Sequence, residues 1–281
     1  MLRSFDNLFE MEDVPADLAT MYARVYNLTM QERVDHKRWV LSRWPTPAMA
    51  QLAGMSLERF TDFYFRTVLF NYRRMAQAMR PLKDLMERTD RVRITGPGTD
   101  LSFSIKGMSA VPCDGKRNIP DGELYTAPGR DSVNGPITFN TVTVTKDGQR
   151  FGGVAFEFME GRIVKATCAS GDQDRMNKML DTDEGARYVG EFSFGLNPSI
   201  PDTMGETLFD EKVDGSIHLT PGRSYADADN GNKSAIHWDI VLVQRPERGG
   251  GEIYFDGKLV RKDGLFVPKA LRGLNPDALM N

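Results

Sequence analysis

His36, His218 and His237 are the whole imidazole inventory of this chain. Any chemistry that needs a histidine must draw on these three. His237 lies in the apolar run Ala235–Val243, two residues before Asp239. Side chains alternate faces along a strand, so His237 and Asp239 share one face. An imidazole and a carboxylate on a buried strand are costly unless paired or metal-bound. The pair reads equally as a structural hydrogen bond or as part of a metal site. His218 closes a short apolar strand before the turn Thr220-Pro221-Gly222, and Tyr225 follows it. Upstream, Asp210 and Glu211 sit at what reads as another strand end. Glu123 follows the turn Asn118–Gly122, and Glu191 opens a glycine-bounded apolar strand. Taken singly, each acid reads as a solvated turn residue and His218 as packing. Taken together, imidazoles and carboxylates at strand ends suit zinc, cobalt or manganese. Bridging carboxylates would allow two such ions close together, an arrangement suited to hydrolysis. No H-E-x-x-H helix occurs, which excludes a zincin. The two cysteines, Cys113 and Cys168, exclude a disulfide scaffold and a four-thiolate zinc site.

These residues need a scaffold, and the texture of the chain changes near residue 92. Before it, glycine is scarce and apolar residues recur at helical spacing. Helices are expected over Pro15–Leu28, Thr46–Ala53 and Ser56–Arg88, the last kinked or broken at Pro81. Between the first two, Lys37–Pro45 reads as a strand. After residue 92, alternating segments are punctuated by turn signals at Lys146-Asp147-Gly148, Met159–Arg162 and Phe255–Lys258. One helix, Gln173–Leu180, interrupts them, followed by a polar stretch read as surface. The expected fold is α+β: a helical N-terminal part, 1–92, followed by a β-rich metal-binding domain, 93–281.

Other classes fall away. The 281 residues carry 36 basic and 39 acidic side chains, a net −3, with no basic footprint for nucleic acid. The longest apolar runs are strand-sized, too short to span a membrane, and the N-terminus lacks signal-peptide features. A cytoplasmic protein with reduced thiols is expected. His36, among charges, reads as surface. The GPGTD segment reads as a turn, because no Gly-Lys-Ser/Thr follows it.

Six blocks in order carry a resemblance: RWPTPAMAQLAGMS, RITGPGTDLSFSIKG, NIPDGELYTAP, DEGARYVGEFSFGLNP, ETLFDEKVDGSIHLTPGRSY and AIHWDIV. They resemble the signature segments of the thermophilic metallo-aminopeptidases, the family of aminopeptidase T and aminopeptidase S. The resemblance implies two divalent ions (zinc, cobalt or manganese) and release of N-terminal amino acids from peptides. By motif it implies Glu123, Glu191, Glu211, His218, His237 and Asp239 as metal ligands. Glu191 would bridge, and Glu191 and Tyr225 would serve catalysis. It also implies a homodimer. Two departures stand out. The family reads D-E-N where this chain has Asp210-Glu211-Lys212, and the spacing to His218 is stretched, which weakens Glu211 most. The resemblance also implies a further N-terminal α/β lobe in family members, inside which this chain would begin. That departure motivates a rival reading, a non-catalytic metal-binding or assembly protein on the same scaffold. A glycoside hydrolase using Glu123 and Glu191 would leave His218 and the H-x-D strand unexplained.

Overall fold

The computed structural model describes residues 2–10, 13–15, 18, 21–22, 25–26, 32–33, 36–145 and 148–281. The helix expected over Pro15–Leu28 lies largely outside the described residues. Helix α1, Pro47–Leu52, begins where the Thr46 hydroxyl accepts from the Met49 amide, with proline in the first turn. Helix α2, Leu57–Val68, is capped by Ser56 and buries Phe60, Phe63, Tyr64 and Thr67 along one stripe. Helix α3, Tyr72–Met86, is capped by Asn71 and buries Met75, Met79, Leu82 and Met86.

The single helix expected over Ser56–Arg88 is therefore two. The break falls at Leu69–Asn71, and Pro81 sits inside α3 without ending it. Asn71 turns its side chain to the Arg74 amide, competing with helix continuation. The redirection has a packing consequence. The α2 stripe joins a smaller core with Met49, Phe209 and Val243, whereas the α3 stripe joins the main core. The strand expected over Lys37–Pro45 shrinks to Leu41–Arg43, which pairs in parallel with Asn118–Ile119.

A five-stranded antiparallel sheet positions the candidate site. Its strands are β1 (Val111–Cys113), β2 (Glu123–Thr126), β3 (Val189–Gly195), β4 (Ser216–Pro221) and β5 (Ile240–Val243). They lie side by side in chain order. Strands β2 to β5 are buried on both faces. One face sends Leu124, Phe192, Phe194, Ile217, Leu219, Ile240 and Leu242 into the main core. The opposite face carries the polar residues considered below.

A second five-stranded sheet backs that apolar face. It pairs Arg91–Gly96 with the later strand Glu252–Phe255, Ile94 opposite Ile253. Phe103 meets Phe192 at 5.0 Å between ring centroids, and Phe194 meets Phe266 at 5.7 Å. Between β2 and β3 the chain adds a three-stranded sheet, a hairpin and helix α4, Gln173–Leu180. Two expected hairpin turns form with left-handed backbone at Glu160-Gly161 and Asp256-Gly257. At the third, Val142–Val144 pairs with Arg150–Gly152, while Lys146 and Asp147 lie outside the described residues. The architecture is α+β. Among the described residues no helix is long and apolar enough to cross a membrane.

Candidate metal centre

Strand register brings the sequence-predicted residues together. On β3, Glu191 stands opposite Thr220 of β4, and Ser193 stands opposite both His218 and Tyr125. Gly195 stands opposite Glu123 of β2. A period of two therefore puts Glu123, Tyr125, Glu191, Ser193, His218 and Thr220 on one buried face. The β3–β4 register shifts at Gly190, between Val189 and Glu191. A Cβ there would lie 2.2 Å from the Arg223 carbonyl oxygen and 2.4 Å from that of Gly222. Only glycine fits this bulge, which sets the register of Glu191.

Three local expectations change. His218 is in the middle of β4, paired with Val241, not at a strand end. Thr207–Asp210 forms a short helical turn, α5, where a strand end was expected. It forms because the Asp210 carboxylate accepts from the Met204 and Gly205 amides, at 2.7 and 2.8 Å, and folds the chain back. The strand expected over Ala235–Val243 starts only at Ile240. His237 and Asp239 still share a side, because Trp238 turns the other way onto Phe151 and Phe156.

Among the described residues the distances define two histidine-containing ligand groups that share Glu191; a third group, Cys113, Asp121 and Glu123, lacks a histidine. His218 Nε2 lies 2.9 Å from Glu191 Oε1 and 3.5 Å from Glu123 Oε2. His237 Nε2 lies 3.6 Å from Glu191 Oε2 and 3.3 Å from Asp239 Oδ1. Donor atoms of Glu123, Glu191 and His218 fall within 4.8 Å of one another, as do those of Glu191, His237 and Asp239. Both imidazoles are oriented alike. His218 Nδ1–H donates to the Glu211 carbonyl at 3.1 Å, and His237 Nδ1–H donates to the Arg223 carbonyl at 2.9 Å. A backbone carbonyl can only accept, so each ring points Nε2 into the carboxylates, the arrangement that supports a metal ligand. The Thr220 hydroxyl donates to Asp239 Oδ1 at 2.7 Å, a further outer support.

One predicted ligand is placed differently. The Glu211 carboxylate pairs with the Lys212 ammonium and belongs to neither group; its backbone, not its side chain, meets His218. Tyr225 is 40% exposed, and its ring lies 4.5 Å from that of His237. The exposure is that of the residue as a whole; its hydroxyl end is buried, and that burial, then the charges of Glu191 and Asp239, hold the hydroxyl well above the ordinary tyrosine range, so it stays a donor. His36 is an exposed residue beside Glu32, as expected.

The cluster is electrostatically strained without cations. Burial raises Glu123 and Glu211 to about 7 against the pull of Lys212. Burial works against the His218 cation, yet the hydrogen bond and charge of Glu191 outweigh it and lift His218 to about 10. Asp239 stays below the usual carboxylate range; burial opposes this, and His237 with His218 overcomes it. Buried Glu123 Oε2 and Glu191 Oε2 have no hydrogen-bond partner. Orphaned buried oxygens are costly, and cations coordinated by them would remove the cost. Imidazole nitrogens and carboxylate oxygens fit zinc, cobalt or manganese.

The profile of the thermophilic metalloproteases (M29) matches residues 10–257, most of the chain. The chain belongs to this family. Aminopeptidase T of Thermus aquaticus is 30% identical over 212 residues, 66% of this chain and 49% of that protein. The chain thus spans about half the length of this M29 relative. The solved structure of wild-type AmpT from Thermus thermophilus covers 95% of this chain and 76% of its own, with a TM-score of 0.76 at 20% identity. The structure of a 2,5-dihydroxypyridine dioxygenase from Pseudomonas putida KT2440 covers 89% of this chain and 78% of its own, with a TM-score of 0.63 at 16% identity. The fold therefore does not select the chemistry; the site has to.

Sequence reasoning missed Lys212 and Thr220 as parts of the centre. A lysine after two acids reads as a surface ion pair, and a threonine before Pro-Gly reads as a turn. Only β4 pairing and the α5 turn bring them inward, so no local signal marks them.

Proposed function

We propose that this M29 chain is a two-metal aminopeptidase acting on peptides with a free N-terminal amine. The observation that carries the reading is Glu191, whose two carboxylate oxygens face two different histidines, each accompanied by a further carboxylate. Glu123, Glu191 and His218 would hold one ion; Glu191, His237 and Asp239 would hold the other. The chemistry such ions supply is polarisation of a scissile carbonyl and acidification of a water. The chain's own residues supply the rest. The Glu211 and Arg223 carbonyls keep both Nε2 atoms aimed inward. Glu191 would be the shared ligand, with one oxygen toward each histidine. The Tyr225 hydroxyl, held protonated beside Glu191 and Asp239, is the donor for charge developing on the substrate oxygen.

A single-ion centre built on both histidines and one carboxylate is less well supported. His218 and His237 fall in separate groups, joined only through Glu191. The rival of a non-catalytic metal-binding protein is separated by assay. Protein stripped with EDTA and reloaded with Co²⁺, Zn²⁺ or Mn²⁺ is expected to release p-nitroaniline from Leu-p-nitroanilide and not from its N-acetyl form. Bound metal without release would eliminate the enzyme reading and favour the rival. Equal cleavage of the acetylated substrate would eliminate the requirement for a free amine.

A further inference from the structure

Lys212 has no exposed surface, although lysine is among the residues least often buried. Its backbone is pinned on both sides: its amide donates to the Phe209 carbonyl, and its carbonyl accepts from the Asn197 amide, each at 3.0 Å. The ammonium is therefore delivered to a fixed place. There it pairs with the Glu211 carboxylate and stands 3.6 Å from Glu123 Oε1. The other oxygen of Glu123, Oε2, faces His218 and has no hydrogen-bond partner.

We propose that Lys212 is a positioning residue that decides which carboxylate oxygens of this cluster take metal. The ammonium claims the Glu211 carboxylate and the Oε1 side of Glu123. Glu123 is left with one donor, Oε2, for a divalent cation. Glu211 is kept out of the ligand set and serves the centre through its carbonyl, which orients His218. This inference rests on the two-metal reading and adds the selection of ligands to it.

Equilibrium dialysis of the full chain against Co²⁺, with the visible spectrum of the bound cobalt, tests the assignment without reference to turnover. The unsubstituted protein is expected to hold about two cobalt ions. Glu211→Gln should keep both, with the same spectrum. Glu123→Gln should weaken one of them by about 100-fold or more. Lys212→Met frees Glu211 and Glu123 Oε1 to coordinate, so its cobalt spectrum should change, and Lys212→Arg should restore it. Loss of a cobalt ion in Glu211→Gln would overturn the proposal, as would an unchanged spectrum in Lys212→Met. If Lys212→Met does not fold, Glu211→Gln decides alone. Fewer than two ions on the unsubstituted protein would instead defeat the two-metal reading, and this inference with it.

Discussion

Glu191→Gln is the most informative single change. It keeps the size and hydrogen-bonding shape of the side chain and removes one negative charge. Glu191 is the one residue common to the two histidine-containing groups among the described residues. The substitution should therefore weaken both ions together, whereas Asp239→Asn should weaken only the ion shared with His237. The magnitude follows from the separations. Glu191 oxygens stand 2.9 Å from His218 and 3.6 Å from His237. Unit charges that close interact by roughly 5–6 kcal/mol at an effective dielectric of about 20. A divalent ion doubles the charge, and desolvation takes back much of the gain. A net loss of about 3–4 kcal/mol per ion corresponds to roughly 10²–10³-fold weaker binding at about 1.4 kcal/mol per decade. Competitive titration with a metal indicator would measure both constants, and circular dichroism would check that the fold persists. If Glu191→Gln keeps either ion at unaltered affinity, the shared-ligand geometry is wrong.

Three further outcomes follow from the same coordinates. Thr220→Val removes the 2.7 Å donor to Asp239 at nearly constant volume, and the His237-side ion should bind about 10- to 100-fold more weakly; unaltered affinity would show that Asp239 needs no such support. Gly190→Ala forces a Cβ against the Arg223 and Gly222 carbonyls and should cost about 1–3 kcal/mol in urea unfolding, with metal lost as Glu191 shifts; a wild-type midpoint would contradict the bulge argument. In EDTA the protein should lose stability as pH rises from about 5 to about 9. Glu123, Glu211 and Asp121 are raised to about 7 and Asp210 to about 8, so the folded state holds these protons more tightly than the unfolded chain. Their contribution is full below the ordinary carboxylate range and vanishes through pH 7–8. His218, raised to about 10, acts in the same direction above its ordinary 6.5. Melting temperatures that climb over this range without metal would refute the electrostatic picture.

Much of this protein is legible in residue order alone. The helix starts near Thr46 and Ser56, the turn residues at Glu160-Gly161 and Asp256-Gly257, and the change of texture near residue 92 are local signals. Local sterics and hydrogen bonds decide them within a few residues. The alternation His237-Trp238-Asp239 likewise set two side chains on one face before any partner was known. Where neighbours compete, residue order was insufficient. Pro81 looked like the breaker, yet the chain turns at Leu69–Asn71, because the α2 and α3 stripes must reach different cores. Thr207–Asp210 coiled instead of extending, because Asp210 satisfied two amides of the preceding loop.

The centre itself belongs to the tertiary structure. Glu123, Glu191, His218 and Asp239 are spread over more than a hundred residues, and only antiparallel register places them a few ångströms apart. The sequence by itself determined which side chains were available and that His237 and Asp239 share a side. The tertiary structure decided that Glu191 lies between the two histidines, that Lys212 holds Glu211 aside, and that Thr220 supports Asp239. The physical reason is distance. Strand periodicity is written in adjacent residues, whereas ligand geometry and buried charge depend on groups that meet only when five strands pair and exclude water.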